Sequence, residues 1–347
     1  MTAYEKILYP FLRILNPEAA HRLAVNALAA AQWGPPGTSL LERVAGEIPA
    51  RPVEAFGLRF PNELGVAAGF DKNVEVALGL ALLGFGHVEV GTLTPLPQAG
   101  NPRPRLHRLP RRGALINSMG FPNCGMAEAL PRIIRFSRLD NRRFVLGVSI
   151  GKQKETPLPE SIADYLGMMR DVHAYADYLA INISSPNTPD LRKLQTPEFI
   201  NSLCARLQEE NERLAARTSS KPKPLLVKIA PDVTDDDLDA VIAAVRGNGL
   251  AGMIATNTTL DREAIADDPL AAKPGGVSGR PLTARSTRII RTIREKSGAA
   301  FPVIGVGGIF NASDAREKLD AGASLLQLYT SMVYRGPGIA GEILRGL

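Results

Sequence analysis

Leu64-Gly65-Val66-Ala67-Ala68-Gly69-Phe70-Asp71-Lys72 reads as a short apolar strand running into a turn that carries an acid and a lysine. An open doubly wound sheet usually has Gly-x-Gly-x-x-Gly after its first strand, so that a pyrophosphate can sit on the next helix. This strand has no such run. Seven more runs of the same kind follow: His87–Thr92, Val145–Gly151, Tyr178–Ser184, Leu225–Ala230, Gly252–Thr258, Val303–Gly308 and Leu325–Thr330. They are rich in β-branched residues and apolar on both faces, as strands of a covered parallel sheet are. Helical spacing, as in Asp235–Arg246 and Thr283–Lys296, fills most of the intervals. Eight such repeats predict an α/β fold of the closed (β/α)8 TIM-barrel type over residues 46–347. The interval between the second and third strands is too long for one helix. There, Arg105–Leu109 and Ala114–Ser118 flank Pro110-Arg111-Arg112-Gly113 and read as a hairpin over the barrel mouth.

Residues 1–45 have a different pattern. Tyr4, Ile7, Leu8, Phe11, Leu12, Ile14 and Leu15 follow helical spacing, and Asn16-Pro17-Glu18 reads as the capped start of a second helix. Leu23, Ala24, Ala27, Leu28 and Ala31 continue on one face until Gly34-Pro35-Pro36-Gly37 stops it, ahead of a linker marked by Pro49 and Pro52. The expectation is a helical extension of two short amphipathic helices. It either packs on the barrel or lies in a membrane interface, with Lys6, Arg13 and Arg22 toward headgroups.

Of 347 residues, 45% are hydrophobic, enough at this length for a large core and against a disordered chain. Two cysteines make no disulfide framework, and no Cys/His spacing fits zinc. The formal charge of +6 suits nucleic acid, an acidic membrane surface or an anionic ligand; the basic residues are dispersed and no RNA-binding signature is present, so nucleic acid is the weaker reading. No apolar stretch is long enough to span a bilayer, and no secretory leader is evident.

Barrels gather their chemistry at the carboxyl ends of strands. Here these ends carry Asp71 and Lys72, Thr92, Ser149 and Lys152, Asn182 with Ser184 and Ser185, Lys228, Thr256-Asn257-Thr258, Gly307-Gly308 and Tyr329-Thr330. The set lacks an acid and histidine cluster for a metal and a carboxylate pair for glycoside hydrolysis. Amides, hydroxyls and lysines suit a planar, polar, anionic heterocycle. Gly305-Val306-Gly307-Gly308 after the seventh strand suits a phosphate, which together with a conjugated ring indicates flavin mononucleotide (FMN).

Ala68-Gly69-Phe70-Asp71-Lys72, Val90-Gly91-Thr92, Asn117-Ser118-Met119-Gly120-Phe121, Asn182-Ile183-Ser184-Ser185-Pro186-Asn187-Thr188, Lys228, Thr256-Asn257-Thr258, Gly276-Val277-Ser278-Gly279 and Gly305–Ile309 stand in order and at family spacing. The chain resembles the dihydroorotate dehydrogenases of the quinone-linked class 2, over nearly its whole length. The resemblance implies oxidation of (S)-dihydroorotate to orotate in de novo pyrimidine synthesis, with FMN as hydride acceptor and a membrane quinone as final acceptor. It implies that Ser185 is the base. Lys72, Asn117, Ser118, Met119, Gly120, Phe121, Asn182, Asn187, Asn257 and Thr258 would hold the substrate. Ala68, Gly69, Lys72, Thr92, Ser149, Asn182, Lys228, Thr256, Gly279, Gly308, Tyr329 and Thr330 would hold FMN. Ser149 departs from the family's usual Asn. His21, Arg108 and Tyr329 match positions near the quinone head. Ile7, Leu8, Phe11, Leu12, Leu23, Ala27 and Leu28 would line its channel and meet lipid. A monomer held peripherally on the cytoplasmic side of the cell membrane is implied. A Schiff-base aldolase using Lys228 or Lys72 is the rival chemistry; it leaves Ser185 and its surrounding run without a role.

Overall fold

Every one of the eight runs forms a strand of one closed parallel barrel in the computed structural model, which describes residue 2, residues 4–188 and residues 191–347. The strands are Leu64–Val66, His87–Leu93, Val145–Ile150, Tyr178–Asn182, Leu225–Ile229, Gly252–Ala255, Val303–Val306 and Leu325–Leu328. Each pairs in parallel with the next in the chain, and the eighth returns to the first, with Leu326 opposite Leu64 and Leu328 opposite Val66. Outward residues meet the helices that follow the strands: Tyr165, Met169, Leu203, Val241 and Ile290 are fully buried in that layer. Inward residues fill the barrel, with Ala180, Leu226, Ile254 and Ile304 in one cluster. Small and large residues alternate there. A Cβ on Gly65 would stand 2.2 Å from the His87 ring, and one on Gly147 would stand 2.1 Å from the Tyr178 ring.

Two additions close the ends. A hairpin, Val53–Ala55 with Leu58–Phe60, turns through Phe56 and Gly57, both at positive φ, and sends Phe60 and Ala55 into the interior cluster from the amino ends of the strands. At the other end the expected hairpin is present as Leu106–Leu109 and Ala114–Asn117. It gains a third strand, Gly276–Gly279, antiparallel to Ala114–Asn117, which the glycine motif alone did not predict.

The N-terminal region differs from expectation in two ways. Asn16 caps the helix Pro17–Ala31 as predicted, accepting from the Glu18 amide at 3.0 Å. The Gly34–Gly37 run stops that helix but also opens a third, Pro35–Ala45, because proline is favourable in a first turn. The third helix buries Leu41 and Ala45 and packs on the last helix, Ile339–Gly346. The face drawn through Leu23, Ala27 and Leu28 is also divided. Leu28 and Val25 are buried against the barrel helix Ala77–Leu82, whereas Leu23 and Ala27 are exposed. Ahead of them, the helical turns Tyr4–Leu8 and Tyr9–Leu12 leave Ile7, Leu8 and Phe11 exposed, with Ile14 just beyond at 79% exposure. Among the described residues no helix is long and apolar enough to cross a membrane.

Candidate active site

Between the carboxyl ends of the barrel strands and the three-stranded cover lies a cavity with about 1140 Å³ of empty space, its mouth included. Ser185 lines it. So do Ala68, Gly69, Lys72, Thr92, Asn182, Lys228, Thr256, Gly279, Gly308, Tyr329 and Thr330 from the expected cofactor set. Asn117, Met119, Gly120, Phe121, Asn187, Asn257 and Thr258 line it from the expected substrate set. Four expected residues lie outside its wall. Ser149 is fully buried behind Thr92, whose Oγ1 is 2.9 Å from its Oγ, so it touches the wall only through that hydroxyl. Ser118 borders a second, open groove on the outer side of the Ser185 loop. His21 sits with Nε2 3.5 Å from the Lys72 Nζ and packs edge-on against Phe70, which also packs against Tyr329. Arg108 donates to the carbonyls of Arg13 and Leu15 and so ties the cover to the N-terminal turns.

The amides are locked by their neighbours. Asn182 donates to Thr92 Oγ1 at 2.8 Å and accepts from the Ser184 hydroxyl and amide. Asn257 donates to Ser184 Oγ at 2.9 Å and accepts from the Thr258 amide. Asn187 reaches across to Asn117, donating to its carbonyl at 3.1 Å and its side-chain oxygen at 3.3 Å. A hydrogen-bonded net of this kind fixes side-chain direction before a ligand arrives. Ser185 Oγ accepts from the Asn187 amide at 3.2 Å, a bond that favours negative charge on that oxygen.

Two buried polar atoms at the wall, Thr258 Oγ1 and Gln327 Oε1, have no hydrogen-bond partner among the described residues. The amide N–H groups of Gly308 and Ile309, also at the wall, donate to no acceptor among the described residues. Gly308 has φ +73°, and a Cβ there would come 1.9 Å from Thr283 Oγ1. Backbone donors at a turn that only glycine fits make a concavity for an anion. These observations fit a ring with hydrogen-bonding edges and a phosphate.

The electrostatics divide into groups that serve the fold and groups that face the cavity. Burial pushes the Asp71 carboxyl up to about 6, and its oxygens accept from the amides of Glu75 and Val76, so this strand-end acid anchors a turn. Burial lowers Lys72 to about 8, partly opposed by Glu18 and Asp71. Burial and the nearby Lys72 hold His21 neutral, near 3.

Strand ends alone miss Glu89. This acid lies mid-strand, fully buried inside the barrel. It accepts from Lys228 Nζ at 3.1 Å, from Gln327 Nε2 at 2.9 Å and from the Tyr178 hydroxyl at 3.2 Å. A carboxylate inside the otherwise apolar run Val88–Val90 was the available signal. Buried charge needs a partner, and Lys228 is that partner.

Residues 52–347 match the family model of dihydroorotate dehydrogenase. Curated relatives named dihydroorotate dehydrogenase (quinone) include that of Delftia acidovorans, 43% identical over 97% of this chain and 96% of its own. That of Chromobacterium violaceum is 46% identical over 98% and 97%. Among solved structures, the DHODH of Eimeria tenella in complex with ferulenol superposes with a TM-score of 0.84 at 37% identity, covering 95% of this chain and 90% of that one. Its ligand-free form gives 0.82 at 38% identity, with 92% of each covered. Identity at this level along the full length reaches well beyond a shared barrel, which by itself fixes no chemistry. The chain therefore belongs to the quinone-linked dihydroorotate dehydrogenases and is an oxidoreductase of pyrimidine biosynthesis that acts on dihydroorotate.

Proposed function

We propose that the chain oxidises (S)-dihydroorotate to orotate with one noncovalent FMN and delivers the electrons to a membrane quinone, as a monomer held on the cytoplasmic face of the cell membrane. The observation that carries this reading is one cavity that combines the Ser185 loop, a ring of fixed amides and a glycine turn whose N–H groups have no acceptor among the described residues. Bound FMN supplies a ring that takes a hydride and passes electrons onward.

The protein's part is to place and to move protons. Asn117, Asn187, Asn257 and Thr258 offer donors and acceptors to the substrate ring, and Lys72 offers charge to its carboxylate. Ser185 takes the proton from C5. A free serine is a weak base, so the Asn187 amide on its Oγ and the lysines at the wall must favour the alkoxide-like state. Lys228, paired with Glu89, would meet the cofactor ring from the wall, and Gly308 and Ile309 would hold its phosphate. Gly279, Tyr329 and Thr330 complete that end, with Thr330 Oγ1 donating to Ser278 at 2.8 Å.

For the second substrate, the exposed apolar turns at Ile7, Leu8, Phe11 and Ile14 are the surface suited to lipid, with Lys6 and Arg13 in the same segment and Arg22, paired with Glu75, on the next helix. His21, Phe70 and Tyr329 connect that region to the cavity. The test is the absorption spectrum of the purified protein. The protein is expected to be yellow, to release FMN on denaturation and to be bleached by dihydroorotate. A folded, colourless protein that FMN cannot reconstitute overturns the reading.

A further inference from the structure

Lys318 stands apart from every group used so far. It lies on the helix Ala312–Asp320, is fully buried, and is not part of the cavity wall. Its Nζ donates three hydrogen bonds, to the Thr283 carbonyl at 3.2 Å, to Ser286 Oγ at 3.1 Å and to Thr287 Oγ1 at 3.1 Å. The ammonium's three donors are thus all used. None of its partners is a carboxylate, and it makes no ion pair among the described residues. Burial lowers it to about 8, partly opposed by Glu317 and Asp314 on its own helix. A buried cation without a counter-charge is costly. Its three acceptors all belong to the first turns of the helix Thr283–Ser297, where the helix dipole offers a cation nothing.

The acceptors lead directly to the glycine turn. Ser286 Oγ donates onward to the Val306 carbonyl at 2.6 Å. Thr283, held through its carbonyl by Lys318 and by the Thr287 hydroxyl, sets its own hydroxyl 3.1 Å from the Gly308 carbonyl and 2.9 Å from the Arg280 carbonyl, so that its one proton is shared between them. The two carbonyls that bracket Gly307 are therefore drawn back toward this helix. The neighbouring Gly308 and Ile309 N–H groups are left at the cavity wall without an acceptor among the described residues. A cation at the far end of such a chain polarises each bond in it and adds positive potential to the cradle.

We propose that Lys318 is a positioning residue for the anion cradle, setting the Val306–Gly308 turn through Ser286 and Thr283 from behind the cavity wall. This rests on the reading that a cofactor phosphate sits at that turn. The unmatched charge then has its partner, a dianion on the opposite side of the turn.

The test compares two cofactors that differ only in the phosphate. Wild-type, Lys318→Met and Ser286→Ala proteins are loaded with FMN or with riboflavin, and release on dilution is followed by flavin fluorescence. Wild type should hold FMN more tightly than riboflavin. Lys318→Met should lose FMN affinity by about tenfold or more, the usual worth of hydrogen bonds from a charged group, while riboflavin retention stays unchanged. Ser286→Ala should show the same FMN-selective loss, with less than additive effects in the double variant. It also carries the test if Lys318→Met does not fold. Equal weakening of both flavins, or no change in either, makes Lys318 a structural residue only and overturns the proposal. A wild type that does not prefer FMN overturns the phosphate reading itself, and the proposal with it.

Discussion

At the residue scale the decisive groups are ordinary side chains given unusual surroundings. Ser185 is nearly buried, and its oxygen accepts an amide hydrogen bond. Ser185→Ala should still bind FMN and orotate, because those contacts come from other residues. Bleaching by dihydroorotate should slow by about 10²–10⁴-fold, the usual worth of a placed general base. Bleaching at the wild-type rate in a stopped-flow trace at neutral pH assigns the proton to another group. Lys72 adds a pH dependence. Its pKa is lowered to about 8, and only the ammonium form attracts the substrate carboxylate. The ammonium fraction falls as pH rises through that value, so kcat/KM for dihydroorotate should have a descending limb near pH 8. Lys72→Arg should remove the limb, since a guanidinium does not titrate there. A limb that persists in the arginine variant belongs to some other group.

At the element scale, the N-terminal turns and helices have two separate tasks. Pro17–Ala31 and Pro35–Ala45 belong to the core through Val25, Leu28, Leu41 and Ala45, and Gln32 joins them to the barrel by donating to the Glu75 carbonyl and accepting from the Gly79 amide. Removing them wholesale would expose apolar barrel surface. The turns before Asn16 leave Ile7, Phe11 and Ile14 at 65%, 67% and 79% exposure, so these three can be changed at little cost to packing. In the triple variant Ile7→Ser, Phe11→Ser, Ile14→Ser, binding to anionic vesicles and turnover with a ubiquinone analogue should both fall sharply. Bleaching by dihydroorotate should be unaltered at equal flavin content. Quinone turnover at the full rate in that variant would make these turns a packing element and remove the membrane from the mechanism.

At the scale of the whole molecule, closure of the barrel forces its interior to be filled by a fixed set of large and small residues. Gly147 faces the Tyr178 ring, and Tyr178 in turn donates to Glu89. Gly147→Ala places a methyl 2.1 Å from that ring. It should lower stability by about 1–3 kcal/mol, the range for overpacked cores, read as a lower urea midpoint of the flavin-loaded protein. An unchanged midpoint means the interior has room that these distances deny. The buried pair Glu89–Lys228 links this packing to the cavity, since the same lysine lies at the wall.

The sequence by itself determined the eight strands, their parallel order and the polar residues at their ends. Each strand is a local apolar run, and a closed barrel turns a strand's last residues toward one common mouth. Asn16 and Pro17 likewise announce a helix start through chemistry contained within three residues. What only the tertiary structure decided depends on partners distant in the chain. Gly276–Gly279 becomes a strand because Ala114–Asn117 offers it an edge. Pro35–Ala45 becomes a helix because Pro17–Ala31, Ala77–Leu82 and the last helix of the chain pack on it, with Leu41 and Ala45 buried. Ser149 recedes behind Thr92 because the closing barrel buries its hydroxyl against a neighbouring strand. Glu89 shows locally only as a carboxylate within an apolar run, and Lys318 carries no local sign of importance. Each gains its meaning from burial, which raises the energetic weight of a charge and makes its few partners decisive.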